Sequence, residues 1–134
     1  MLTNIKTIST QNSRLYNVLN GSRYLLADCD ADIQIMEDST DIEIVKGYKT
    51  KVYDYKVVIV VCNEIESKEP ITVDLLKKTE SFDLELEIKL QDGTYKRMGL
   101  GNIIPKTINL NGRWEFEIAN SKEVIDDLKR ENLI

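Results

Sequence analysis

From Phe82 the apolar residues fall at every second place, as Phe82, Leu84, Leu86, Ile88 and Leu90, with Asp83, Glu85, Glu87, Lys89 and Gln91 between them. A strand sends successive side chains to opposite faces, whereas a helix would scatter these leucines around its circumference. The pattern predicts a long strand with one buried and one solvated face. Asp92-Gly93 follows at once and predicts a hairpin, with a return strand over 94–100. Gly99 and Gly101 interrupt that strand, which suggests a bulge or a close backbone approach. Beyond Pro105, a second hairpin is expected from 106–110, the Asn111-Gly112 turn and 113–118, where Trp114, Phe116 and Ile118 share one face.

The first half of the chain repeats these signals less regularly. Asn20-Gly21 separates an apolar stretch over 14–19 from a longer run starting at Ser22. Within that run Ala27, Cys29, Ala31, Ile33 and Ile35 alternate with Asp28, Asp30, Asp32 and Gln34. Residues 36–41 look like a turn, 42–45 like a short strand, and Lys46-Gly47 like another break. The unbroken run Val57, Val58, Ile59, Val60, Val61, Cys62 predicts a strand covered on both faces. Two helices are expected: a short one over 71–79 after Pro70, and one at the C-terminus. In the latter, Asn120 or Ser121 serves as cap, Glu123 lies early, Lys129 and Arg130 lie late, and Val124, Ile125 and Leu128 form an apolar stripe.

Together these elements predict a mainly β (α+β) fold, an antiparallel β-sandwich or barrel with a C-terminal helix and one short internal helix. A chain of 134 residues without a linker or repeat fits one domain over 1–134. The net charge of −5 argues against a nucleic-acid partner, whose phosphates call for a basic surface. The start of the chain has neither a basic cap nor a long apolar stretch, so no signal peptide is expected. The apolar run over 57–62 is too short to cross a bilayer. A cytoplasmic setting follows as the expectation.

Candidate chemistry is sparse. With no histidine, triads and histidine metal ligands are excluded, and two cysteines are too few for a structural zinc site. No carboxylate or lysine pair stands out and no small-molecule substrate is evident, so neither catalysis nor a cofactor is expected. Asp28, Asp30 and Asp32 resemble the opening of an EF-hand calcium loop, but Ile33 stands where its glycine is needed and Ser39 where its bidentate glutamate is needed. No metal site is expected. On a strand these three acids line one face about 7 Å apart, as a solvated face or a surface meeting a basic partner. Tyr48, Lys49 and Tyr53 belong to a Tyr/Lys-rich segment that reads as the amphipathic rim of a strand pair. These six residues are the candidate interface.

In architecture and style the chain resembles small structural proteins of phage or prophage tails. The residues behind the resemblance are 43–53 (EIVKGYKTKVY), similar to the long hairpin by which tail-tube-like subunits join neighbours, and 92–118, closing on Trp114-Glu115-Phe116-Glu117-Ile118. The resemblance implies self-association, or contact with other virion proteins, by edge-strand pairing in rings, with 1–13 and 36–52 as docking segments. The competing expectation is a small monomeric inhibitor, an immunity or anti-defence protein, that covers a basic partner with its acidic strand. An assembly protein should self-associate and tolerate salt. An acidic inhibitor should stay monomeric and bind more slowly as salt rises.

Overall fold

The alternation and turn signals become six antiparallel strands in a computed structural model that describes residues 2–61, 83–109 and 113–134. They are β1 (Leu2–Leu19), β2 (Ser22–Val45), β3 (Tyr48–Val61), β4 (Asp83–Lys89), β5 (Tyr95–Gly101) and β6 (Trp114–Glu117). They form one sheet in the order β5-β4-β1-β2-β3-β6, followed by helix α1 (Ser121–Arg130). The mainly-β class with a C-terminal helix is as expected, and among the described residues the sheet is not a closed barrel. Its two outer strands approach at one end, where Ala119 N donates to Asn102 O at 2.8 Å and Ile104 N to Glu117 O at 3.0 Å. The sheet therefore wraps one face around α1.

That face holds the core: Leu15 of β1, Ile33 and Ile35 of β2, Val57 and Ile59 of β3, Leu84, Leu86 and Ile88 of β4, Met98 and Leu100 of β5, and Phe116 and Ile118. Val124 and Leu128 of α1 close it, with Ile125 packed at the edge, so the expected stripe is the one used. Ser121 Oγ accepts from Val57 N (2.8 Å) and donates to Ile118 O (3.1 Å), pinning the helix start to β3. Asn132, at φ +55°, ends the helix in a Schellman turn, with Leu133 N on Leu128 O and Asn132 N on Lys129 O. β3 is buried at all five positions over 57–61, between β2 and β6, as its β-branched run predicts. Cys29 is buried beside Ala31, Val61 and Trp114, while Cys62 lies outside the described residues.

The turns behave as their residues require. Asn20 and Gly21 take φ +52° and +79°, the paired left-handed conformation of a two-residue hairpin. Gly93 takes φ +86° between β4 and β5, while Asp92 accepts from both Thr94 N (2.9 Å) and Thr94 Oγ1 (2.6 Å). The glycine pair in β5 does what the sequence suggests. The register slips by one residue between Leu84–Gly101 and Glu85–Gly99, and a Cβ on Gly101 would lie 3.2 Å from Asn120 Cβ.

Three expectations are corrected. β1 starts at Leu2 rather than at Arg14, pairing with β2 from Leu2↔Asp38 to Leu19↔Ser22. β2 runs unbroken through 36–41, where a turn was expected; Asp38, Ser39 and Asp41 stay extended because β3 pairs with each of them. The strand expected over 106–110 starts as a 3-10 turn, Pro105–Thr107, since proline fixes φ and lacks an N–H for a ladder. Among the described residues of that stretch, Asn109 alone then bridges, to Glu115. The helix expected over 71–79 and the Asn111-Gly112 turn fall outside the described residues.

Candidate functional site

Strands β2 and β3 outrun their neighbours. Among the described residues β1 stops pairing at Leu2↔Asp38 and β6 at Val58↔Glu117, but the β2–β3 ladder continues through Ser39↔Tyr53, Thr40↔Val52, Asp41↔Lys51, Ile42↔Thr50 and Glu43↔Lys49 to the turn at Val45↔Tyr48. The result is a two-stranded arm projecting about 20 Å beyond the sheet at the usual rise per residue. Every residue from 40 to 55 is exposed. At the tip Gly47 takes φ +86°, its N–H bonded to Glu43 Oε1 (2.8 Å), and Ile44 is the extra residue where the register shifts.

Alternation gives the arm two distinct faces. One carries Thr40, Ile42, Thr50 and Val52; the other carries Asp41, Glu43, Lys49, Lys51, Tyr53 and Tyr55. Apolar groups stay in water on both: Ile44 is 69% exposed, Val45 62% and Tyr48 73%. Acids and bases also divide by strand. From 37 to 45, β2 carries Glu37, Asp38, Asp41 and Glu43 and no base. From 48 to 56, β3 carries Lys49, Lys51 and Lys56, with Asp54 as its single acid. Asp41 stands across from Lys51 and Glu43 across from Lys49, yet among the described residues neither pair closes into an ion pair. At the root of the arm an open cleft of about 340 Å³ has Ile35, Ile125 and Ile134 in its walls and Lys6, Lys129 and Tyr55 around them.

The six candidate interface residues separate into two groups. Tyr48, Lys49 and Tyr53 all lie on the arm and are exposed. Asp28, Asp30 and Asp32 lie on the part of β2 inside the sheet, where Asp28 faces Arg14 (3.6 Å) and Asp30 Oδ1 accepts from Asn12 N (3.1 Å). Of the docking segment over 1–13, residues 2–13 are built into β1, with Thr10 and Ser13 buried and their hydroxyls 2.5 Å apart. The segment over 36–52 is the arm.

A second charged cluster was not anticipated from the sequence. On the outer face of the sheet, Glu87 Oε1 accepts from Arg14 (3.0 Å) and Oε2 from Arg23 (3.0 Å), with Arg97 at 3.7 Å. Arg23 also reaches Glu85 at 2.6 Å. Arg14 stacks over Tyr95 (4.6 Å) and Arg23 over Tyr16 (4.0 Å). Burial works against the Glu87 charge, but the hydrogen bonds from Arg23 and Arg14 outweigh it and hold the carboxyl below the usual glutamate range. For Arg23 burial likewise opposes the charge, and the bonds to Glu87 and Glu85 raise its pKa regardless. Each perturbation has its partner within the sheet, so the cluster clamps β1, β2, β4 and β5 together. Its sequence trace was the acidic face Glu85/Glu87 of the most regular strand.

Among the described residues no helix is long and apolar enough to cross a membrane. Compared with protein-family models, with curated proteins and with solved structures, the chain matches none.

Proposed function

We propose that this protein is a structural subunit, working by binding and not by catalysis, which builds a phage-tail-like particle by joining copies of itself or companion virion proteins through the β2–β3 arm. The observation that carries the reading is the arm: a ribbon exposed from residue 40 to 55, holding Ile42, Ile44, Val45, Tyr48, Val52 and Tyr53 in water. An isolated two-stranded hairpin is marginal by itself, and contiguous exposed apolar surface marks interaction sites. An arm of this kind gains its stability from whatever docks on it. The acidic-inhibitor alternative draws less support, because Asp28 and Asp30 are already engaged by Arg14 and the Asn12 N–H.

The test is the mass of the purified protein by light scattering, with negative-stain images of the same fractions. A companion variant replaces 40–52 by Asn-Gly, joining the cross-strand partners Ser39 and Tyr53 in a two-residue hairpin. Rings, tubes or a defined oligomer are expected for the intact chain, and a folded monomer for the shortened one. An intact chain that stays monomeric at high concentration, with no companion protein restoring assembly, would sink the proposal.

A further inference from the structure

We infer that the arms meet head to tail, the acidic β2 edge of one copy beside the basic β3 edge of the next, so that charge dictates which edges join. The inference rests on the assembly reading and adds its polarity. Beyond residue 39 both edges of the ribbon are open among the described residues, since β1 ends its pairing at Asp38 and β6 begins at Val58. Open edges join readily to other strands. Here β2 presents Asp41 and Glu43 without a base, and β3 presents Lys49 and Lys51 at the same heights, because Asp41 is directly opposite Lys51 and Glu43 opposite Lys49. These four side chains also share one face of the ribbon.

Two like edges, β2 on β2 or β3 on β3, would set carboxylate against carboxylate or ammonium against ammonium, which is destabilising. The contact of opposite sign is β2 on β3. A rotation about an axis along the arm, without translation, sets Asp41 of one copy level with Lys51 of the next, and Glu43 level with Lys49. β2 runs towards the tip and β3 away from it, so the new pair is antiparallel and extends the ladder unchanged. The contact is heterologous: it makes a ring if the rotation closes and a filament if it does not. Backbone pairing and the face with Ile42 and Val52 supply the affinity; the charges select the edge.

The experiment compares four proteins by sedimentation velocity: the wild type, Asp41→Lys/Glu43→Lys, Lys49→Glu/Lys51→Glu, and the chain with all four changes. Each two-site variant alone should self-associate about tenfold more weakly or worse, since both edges then carry one sign. An equimolar mixture of the two should recover assembly, because each supplies the edge the other lacks. The four-site variant should assemble with itself but not with the wild type. It keeps opposite signs across its own ribbon, so it separates loss of the contact from fraying of the arm. Two-site variants that assemble like the wild type, or a mixture that stays dissociated, would overturn the polarity while leaving assembly intact. Loss in only one two-site variant would point to a symmetric contact and overturn it also. A wild type that stays monomeric at every concentration overturns the inference, while its assembly with a companion virion protein would still support the proposed function.

Discussion

In the inner half of the β2–β3 hairpin, Ile33 and Ile35 lie across from Ile59 and Val57, and all four are buried. In the outer half Asp41 and Glu43 lie across from Lys51 and Lys49, and all four are exposed. The same two strands, in a register unbroken from Ala31 to Glu43, are thus held by different forces. Inside, apolar burial fixes which face each residue takes, because a one-residue slip would expose the isoleucines. Outside, only the ladder, the cross-strand charges and the Gly47 turn specify the pairing. A strand whose faces both stay in water derives little stability from its own fold, and that is how an element built to be completed by a partner differs from one built to hold a core.

The contrast is sharpest between two isoleucines. Ile59→Ala, at a fully buried site, should destabilise the protein by about 2–5 kcal/mol, through lost transfer energy and the cavity left behind. Ile42→Ala, at a site 43% exposed, should stay within about 0.5 kcal/mol. Denaturant unfolding at concentrations too low for association measures both. Equal losses would mean that the arm belongs to the cooperative core, and the distinction between the halves would fail. Amide exchange checks the same point residue by residue: amides over 40–55 should exchange through local opening, and those over 57–61 only with global unfolding.

An intermediate effect is expected where charge replaces apolar burial inside the sheet. Glu87→Gln removes the charge to which Arg14, Arg23 and Arg97 converge, and should cost about 1–2 kcal/mol. That is less than for a fully buried pair, because Arg14 and Arg97 reach solvent. The Glu87 carboxyl is held below its ordinary range in the folded protein, so the unfolded chain takes up its proton first as pH falls. The stabilisation is therefore complete above the ordinary glutamate range and fades as pH drops through it towards the folded value. The gap between wild type and Glu87→Gln, followed by denaturant titration against pH, should narrow on the acid side. A gap that stays constant down to the acid limit would show that the carboxylate charge does not hold this face. The arm, whose facing acids and lysines do not close into ion pairs, has no counterpart to this clamp.

The same contrast explains what could be read from the sequence. Regular alternation with one buried face made β4 legible, the β-branched run made the inner half of β3 legible, and the Asn-Gly and Asp-Gly dipeptides marked two hairpins. The first half of β1 was not legible because its parity changes. Lys6 pairs with Ile35, Ile8 with Ile33 and Thr10 with Ala31, then an extra residue intervenes before Ser13 pairs with Cys29. Each bulge resets which residues face inward, and two of the buried positions are Thr10 and Ser13, so no apolar period survives. The arm was half legible: Tyr48, Lys49 and Tyr53 stood out by residue type, but Asp38, Ser39 and Asp41 looked like a turn because no buried face disciplines them. The Glu87 clamp was hidden because the two arginines that hydrogen-bond to it, Arg14 and Arg23, lie 73 and 64 residues away in sequence.

The smallest expected effect comes from one change made in both kinds of hairpin. Gly21 and Gly47 take φ +79° and +86°, and a Cβ on either would meet nothing within 4 Å, so alanine brings backbone strain without a clash. The left-handed conformation costs an alanine about 1 kcal/mol at each site. At Gly21 the turn joins β1 to β2 beside the Arg23 clamp, so opening it breaks into the cooperative sheet, and the full cost should appear in global unfolding. At Gly47 the turn joins two strands that are exposed over their outer half, so the arm opens locally before the sheet does, and global stability should move by less than about 0.5 kcal/mol. The strain at Gly47 should appear instead as faster amide exchange over 40–55 and as weaker self-association, because a frayed ribbon must be re-formed before it can dock. If Gly47→Ala lowers global stability as much as Gly21→Ala, the arm is coupled to the core. If it changes neither exchange nor association, the turn at the tip does not organise the contact surface.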